Sequence, residues 1–168
     1  MAHTPRIREI SLSQYTVTVV DNAPPQIEAM FALLPDLAAF EIPDRREPEH
    51  LWHGDRDMIE AWVRGERPEC FAAVALDAED EIGGFAFVTL REELLSHAPS
   101  AHLEVLVVAP TARRAGLGAR LCDVAEQTAR ERGATSITLH VFGNNTRARA
   151  LYRSLGYDEE LLRCIKDL

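Results

Sequence analysis

The sequence predicts an α/β domain built on a mixed, mostly antiparallel sheet flanked by helices. Three observations carry that expectation. Two apolar runs, 70–76 and 82–90, are joined by the acidic turn Asp77-Ala78-Glu79-Asp80-Glu81 and read as an antiparallel hairpin. The run from Leu103 to Val108 is interrupted only by Glu104 and is rich in β-branched residues, as a buried strand should be, and it leads past Pro110 into a helical pattern. A further strand pattern, Ser136 to Phe142, follows that helix, so strands lie before and after a crossover.

Taken in order, alternating apolar and polar positions between Ile7 and Val20 predict a strand from about Gln14, with Tyr15, Val17 and Val19 on one side. Asp21-Asn22-Ala23-Pro24-Pro25 breaks it, and prolines suit the first turn of the helix that follows through Ile27, Met30, Phe31 and Leu34. The segment 36–56 mixes apolar and charged residues without a period and reads as loop or short helices. A helix is expected over 57–64 with Met58, Ile59 and Trp62 inward. Gly83 and Gly84 predict a bulge or a close approach in the second hairpin arm, and 91–100 is a polar excursion. The central helix carries Leu117, Leu121, Val124, Ala125 and Ala129 on one face and ends at Gly133 as its C-terminal cap. Gly143-Asn144-Asn145-Thr146 turns into a short helix with Ala148, Leu151, Tyr152 and Leu155 inward, and 161–166 is expected as a last strand.

The 168 residues are one domain's worth, 1–168, with no repeat, linker or low-complexity tract to divide them. A net charge of −9 argues against a nucleic-acid partner, because phosphate backbones are bound through clustered Lys and Arg. Acidity keeps a chain soluble, and it also favours cationic amines as ligands. No run approaches the ~20 apolar residues of a membrane span, and Met-Ala-His-Thr-Pro-Arg lacks a signal-peptide core, so a cytoplasmic protein with no membrane partner is expected. Cys70, Cys122 and Cys164 offer neither C-x-x-C nor zinc spacing, and no acid or cysteine completes a set around His50 and His53. No metal is expected, and Cys122 reads as a small packed residue.

The stretch His102 to Arg120 is strand, glycine-bearing turn, helix. Amides at a helix start have no partners inside the helix and carry a partial positive charge, which suits a phosphate. Gly116 and Gly118 remove side chains from that turn, and Arg113 and Arg114 lie within reach of the same anion. A dinucleotide fingerprint needs a third glycine where position 121 is Leu, and a Walker loop needs Gly-Lys-Ser/Thr where the only lysine is Lys166.

The stretch resembles the pyrophosphate-binding motif of the GNAT superfamily of acyl-CoA-dependent N-acetyltransferases. That pattern is Gln/Arg-x-x-Gly-x-Gly/Ala after a strand ending Val-x-Pro; Arg113, Gly116 and Gly118 fill it behind Val108-Ala109-Pro110. Downstream, Asn145-x-x-Ala148-x-x-Leu151-Tyr152-x-x-x-Gly156-Tyr157 is similar to the family's second segment, and the two together cover roughly residues 70 to 168. The resemblance implies a central splayed strand pair and acetyl-CoA as co-substrate. It implies that Arg113, Arg114, Ala115, Gly116, Leu117, Gly118 and Ala119 form the pyrophosphate loop. It also implies that backbone near Leu106, Val107 and Val108 serves the thioester oxygen and pantetheine, with Asn145 on the pantetheine arm unless it is purely a helix cap. Tyr152 would donate to the CoA sulfur.

Glu104 is the one charged residue inside the central strand, and a lone carboxylate is costly to bury unless it faces water, a partner or a substrate. In some members of the family a glutamate there accepts the amine proton, usually through water; the alternative is a structural carboxylate paired with an arginine or a histidine such as His102. In the family the variable N-terminal half shapes the acceptor pocket, where Phe40, Trp52 and His53 are candidate lining residues. The expected reaction is acetyl transfer to a primary amine of a small molecule or protein, its identity unread, and a homodimer is compatible with it. The rivals are a catalytically silent CoA-binding sensor or assembly domain and a transferase using a longer acyl-CoA.

Overall fold

The computed structural model describes residues 14–168, so the Ile7 to Ser13 part of the alternating stretch before the expected first strand lies outside the described residues. Its elements run β1 (Thr16–Val20), α1 (Ile27–Leu33), α2 (His53–Val63), β2 (Cys70–Leu76), β3 (Ile82–Glu92), β4 (Pro99–Val108), α3 (Leu117–Glu131), β5 (Ser136–Leu139) and α4 (Thr146–Ser154). The five strands lie in chain order in one sheet, antiparallel except for the parallel pair β4 and β5, which α3 connects. Mixed α/β with a mostly antiparallel sheet is therefore the observed class.

Both faces of the sheet are covered, and the strands alternate accordingly. Ala73, Ala75, Ala86, Val88, Ala101 and Leu103 face α3 and meet its Leu117, Leu121 and Cys122. The alanines leave room there for the helix's larger side chains. Ala72, Val74, Phe85, Phe87, Val105 and Val107 face the other way, onto Met30, Leu34, Ile59 and Trp62. Trp62 stands edge-on to Phe87 at 5.3 Å and its indole N–H donates to the Asp21 carbonyl at 3.1 Å, which fixes α2 against both sheet and loop.

The glycine pair of β3 is a close approach: a Cβ on Gly84 would lie 2.6 Å from the Val107 carbonyl oxygen, and one on Gly83 would run into the Tyr15 ring. Gly133 adopts φ +94° after α3, and the Ala134 N–H reaches back to the Ala129 carbonyl at 3.0 Å, as a left-handed cap requires. The polar excursion shrinks to a turn over 93–98, because β3 runs to Glu92 and β4 starts at Pro99. The helix expected from Asp57 starts one turn earlier, at His53, and the segment before it holds short 3-10 turns at Leu34–Ala38 and Pro48–Leu51. β5 stops at Leu139 rather than at Phe142.

The last expected strand is not formed. Residues 157–168 have no helix or strand, and Leu161, Leu162 and Ile165 are exposed. Just upstream, Glu159 pairs with Arg149 at 2.7 Å and Arg153 at 2.9 Å, so the chain leaves α4 beside that helix, and 161–166 pairs with none of the five strands.

Candidate active site

The sheet is least regular in β4. Ser100 to Leu103 pair with Ser136 to Leu139 of β5, and the ladder ends there, so the two strands part over Glu104 to Val108. On its other edge Phe87 pairs with Val105 but Val88 pairs with Leu103, which leaves Glu104 as the extra residue of a bulge. A bulge re-aims a side chain and reverses the alternation after it. Ala101 and Leu103 accordingly pack toward α3, whereas Val105 and Val107 pack toward α1 and α2. Glu104 sits at the reversal, its side chain 12% exposed, with Oε2 3.8 Å from Nε2 of His102.

His102 points toward α2, since it pairs with Thr89, whose hydroxyl touches Met58 Sδ at 3.7 Å. Its Nδ1 lies 2.7 Å from Thr138 Oγ1, and the His140 ring is 4.8 Å away. Burial, helped by Arg91 and His140, pulls its pKa down to about 4. The contact with Glu104 therefore has the distance of an ion pair without the charge: at neutral pH the imidazole is neutral. No arginine among the described residues forms an ion pair with Glu104. Arg67 feels the charge of Glu104 but makes its own ion pair with Glu69.

Sequence reasoning missed Asp55. It lies in the first turn of α2, three to seven residues before Met58, Ile59 and Trp62, and so on the same inward face. Burial first, and the charge of Glu104 second, push its carboxyl up to about 7. The signal was present in the i, i+4, i+7 spacing of Asp55, Ile59 and Trp62, which extends the apolar stripe one turn back with a carboxylate.

On the open edge of β4, Ala109 N–H donates to the Gly83 carbonyl at 2.9 Å, so strand alternation turns the amides of Leu106 and Val108 away from β3 into the gap beside β5. Val107 turns its backbone toward β3. The following loop takes left-handed conformations at Arg114 (φ 68°) and Gly116 (φ 75°). The first intrahelical bond of α3 runs from Arg120 N–H to the Gly116 carbonyl at 3.1 Å, so the amides of Leu117, Gly118 and Ala119 precede it and carry the positive end of the helix. Arg114 is exposed and Ala115 half-buried beside them. Arg113 is turned back: its Nε donates to the Val108 carbonyl at 3.1 Å and its guanidinium lies 3.5 Å from Asp36. A Cβ on Gly118 would make ordinary contact with Leu151 at 3.4 Å and Val108 at 3.8 Å, so the first side-chain atom at this position would point between α4 and β4.

Asn145 caps α4, its Oδ1 accepting from Ala148 N–H at 3.2 Å, which is the helix-cap reading of that residue. Tyr152 is half-buried, stands edge-on to Tyr157 at 5.6 Å, and its hydroxyl has no hydrogen-bond partner among the described residues. Burial, with Cys122 nearby, raises its phenol above the ordinary value. Tyr157, by contrast, donates to Glu126 at 2.9 Å and ties α4 to α3. The buried Cys122 thiol is pushed up to about 12, so it stays neutral and packed. Phe40 meets Phe142 at 5.7 Å and Asn144 donates to the Glu41 carbonyl, which brings the segment after α1 against the loop after β5. Trp52 packs at the edge of the α2-side core, and His53 is exposed. No three His, Cys, Asp or Glu side chains converge as metal ligands among the described residues, and no described helix is long and apolar enough to cross a membrane.

Comparison with known proteins bears on this geometry. An uncharacterised N-acetyltransferase of Bacillus subtilis, YhfO, is 41% identical over 108 residues, covering 63% of this chain and 72% of that protein. The mycothiol acetyltransferase of Renibacterium salmoninarum is 33% identical over 84 residues, which is 50% of this chain but only 25% of that longer protein. The fold superposes on an aminoglycoside acetyltransferase from an uncultured soil metagenomic sample with a TM-score of 0.68 and 19% identity, over 94% of this chain and 98% of that one. It does so on the ribosomal-protein-alanine N-acetyltransferase of Brucella melitensis with a TM-score of 0.62 and 17% identity, over 92% and 99%. Residues 31–157 match the profile described as the acetyltransferase (GNAT) family. Taken with the bulged and splayed β4 and the glycine loop that opens α3, that match places the chain in the acetyltransferase (GNAT) family.

Proposed function

We propose that this chain moves an acetyl group from acetyl-CoA to a primary amine of a small molecule or protein by direct attack, with Glu104 as base and Tyr152 as the donor to the leaving sulfur. The observation that carries the reading is Glu104 itself: a carboxylate bulged out of the central strand, mostly buried, with no arginine or lysine in ion-pair contact among the described residues. Such a group is costly unless a cationic ligand comes to it, and an ammonium is one.

Acetyl-CoA supplies the activated acyl group as a thioester. The residues that suit it are the amides of Leu117, Gly118 and Ala119 for the pyrophosphate, with exposed Arg114 beside them, and the outward amides of Leu106 and Val108 for the thioester oxygen and the pantetheine. Arg113 serves by holding the end of β4 to Asp36, which keeps the gap and the loop in register.

The acceptor arrives as its ammonium form and must lose a proton before its nitrogen can attack. Glu104 takes that proton and Asp55, whose carboxyl is pushed up to about 7, keeps it, so the carboxylate of Glu104 is restored before the chemical step. As the C–N bond forms and the C–S bond breaks, Glu104 receives the second nitrogen proton and the Tyr152 hydroxyl hydrogen-bonds to the departing sulfur. Because burial raises that phenol, its hydrogen bond to sulfur develops before any full proton transfer.

The test is a panel of primary amines assayed for free thiol release from acetyl-CoA. Release with at least one amine, abolished in Glu104→Gln, is the expected outcome. Tight acetyl-CoA binding with no release from any amine would instead favour the silent CoA-binding reading.

A further inference from the structure

His102 is a buried titratable side chain that takes no part in the proposed acetyl transfer. His102 is 3% exposed and lies two residues before Glu104, on the side of the sheet that faces α2. Thr138 Oγ1 stands 2.7 Å from its Nδ1 and 3.4 Å from the Ala101 carbonyl oxygen. The threonine has one proton and a carbonyl can only accept, so both contacts are used only if Thr138 donates to Ala101 and accepts from Nδ1–H. Nε2 then carries the lone pair. It faces Glu104 Oε2 across 3.8 Å, too far for a hydrogen bond, and has no other partner among the described residues.

Two acceptors facing each other cannot satisfy one another, whereas one donor atom set between them satisfies both. A nitrogen about 2.8 Å from each of two atoms 3.8 Å apart subtends roughly 85°, near enough to the tetrahedral angle that each N–H bends by only about 12°.

We propose that His102 is a second acceptor-binding residue, and that its Nε2 and a Glu104 oxygen together hold the two N–H bonds of a primary amine. With both N–H bonds held, only the carbon substituent and the lone pair remain free, and the lone pair has a fixed direction for attack. A secondary amine has one N–H and leaves one acceptor bare in a mostly buried site. That asymmetry makes the site select primary amines. The neutrality of His102 at physiological pH is what lets it accept, and its low proton affinity leaves the proton to the two carboxyls.

This inference rests on the proposed acetyl transfer to an amine. The experiment compares kcat/KM for the best primary amine of the panel with that for its N-methyl derivative, in the wild type, His102→Phe and Thr138→Val, with acetyl-CoA affinity measured by calorimetry in each. The wild type should prefer the primary amine by about tenfold to a hundredfold, the scale of one unmade buried hydrogen bond. The preference should fall to near unity in His102→Phe and by several-fold in Thr138→Val, with acetyl-CoA affinity unchanged. An undiminished preference in a His102→Phe protein that still binds acetyl-CoA would overturn the inference; should that variant fail to fold, an undiminished preference in Thr138→Val would do so. Long-range proton–nitrogen NMR of the wild type should find His102 protonated on Nδ1, and protonation on Nε2 instead would equally overturn it. Thiol release from no amine at all, with the tautomer as assigned, would bring down the acetyl-transfer reading and this inference with it.

Discussion

Glu104→Gln separates catalysis from architecture, and the structure sets the size of each effect. Were Glu104 half of a buried ion pair, removing its charge would strand the opposing one at about 3–5 kcal/mol. For a domain of this size that is a fall in Tm of roughly 6–20 °C. The imidazole 3.8 Å away is neutral above about pH 4, however, and the charge of Glu104 is felt by a like charge, Asp55, and by Arg67, whose own ion pair is with Glu69. Removing the charge of Glu104 therefore relieves the repulsion with Asp55 and breaks no ion pair with an arginine among the described residues. The expected Tm at pH 8 is unchanged or raised by a degree or two, while kcat/KM falls by about 10²–10⁴, the scale of a positioned base. Differential scanning calorimetry and thiol release measure the two arms on one preparation. A Tm lowered by more than about 6 °C, with normal turnover per folded molecule, would refute the assignment of Glu104 as base.

Three other substitutions follow from the same geometry. Tyr152→Phe removes only the hydroxyl and should lower kcat by about 10²–10⁴ with acetyl-CoA affinity intact by calorimetry; wild-type turnover would return the ring to a packing role. Gly116→Asp places a like charge beside the amides of Leu117 to Ala119 and should abolish acetyl-CoA affinity at a stability loss of about 1 kcal/mol, because aspartate tolerates left-handed φ. Gly118→Asp should lower Tm further as well, since its carboxylate would extend beyond a Cβ already in contact with Leu151 and Val108, and equal Tm values for the two variants would contradict that crowding.

The half of the candidate site proposed for acetyl-CoA is legible in sequence because it is local. Strand, glycine turn and helix start follow one another from His102 to Arg120, and a phosphate loop is made of consecutive amides whose spacing is written in the chain. What the residues do individually was less legible. Arg113 fills the motif, yet it also braces the end of β4 against Asp36, a role that depends on an element far away in the chain. Asn145 was readable as a cap because capping is local too. The acceptor half was hidden for the converse reason. Asp55 reaches the site only through the packing of α2 on β3, and Glu104 turns toward it only because β4 slips one residue against β3, a register fault that no composition or periodicity announces. The missing last strand failed on the same ground: the apolar pattern of 161–166 permitted a strand, but a strand needs a partner edge, and the segment pairs with none of the five strands and leaves Leu161, Leu162 and Ile165 exposed.

Asp55 supplies the remaining prediction, and its sign can be worked out from the pKa shift. Its carboxyl ionises near 3.8 unfolded and at about 7 folded, so between those values the folded state holds a proton that the unfolded state has lost. Its contribution to stability is therefore fully present below about pH 4, declines as pH rises toward 7 and is flat above. Asp55→Asn removes that decline. The variant should gain stability relative to the wild type steadily from pH 4 to pH 7, by up to a few kcal/mol at about 1.4 kcal/mol per unit, and by nothing further at higher pH. His102 works in the opposite sense over pH 4–6.5, since its folded pKa is depressed, but it is common to both proteins and cancels in the difference. The same substitution should erase the inflection near pH 7 in the kcat/KM profile, because the group that keeps the first proton is gone. Urea unfolding at a series of pH values reads the first effect and the thiol assay reads the second. A stability difference that does not change with pH would mean that Asp55 ionises in the folded protein as it does in water, and neither its burial nor its coupling to Glu104 would then survive as an account of the acceptor site.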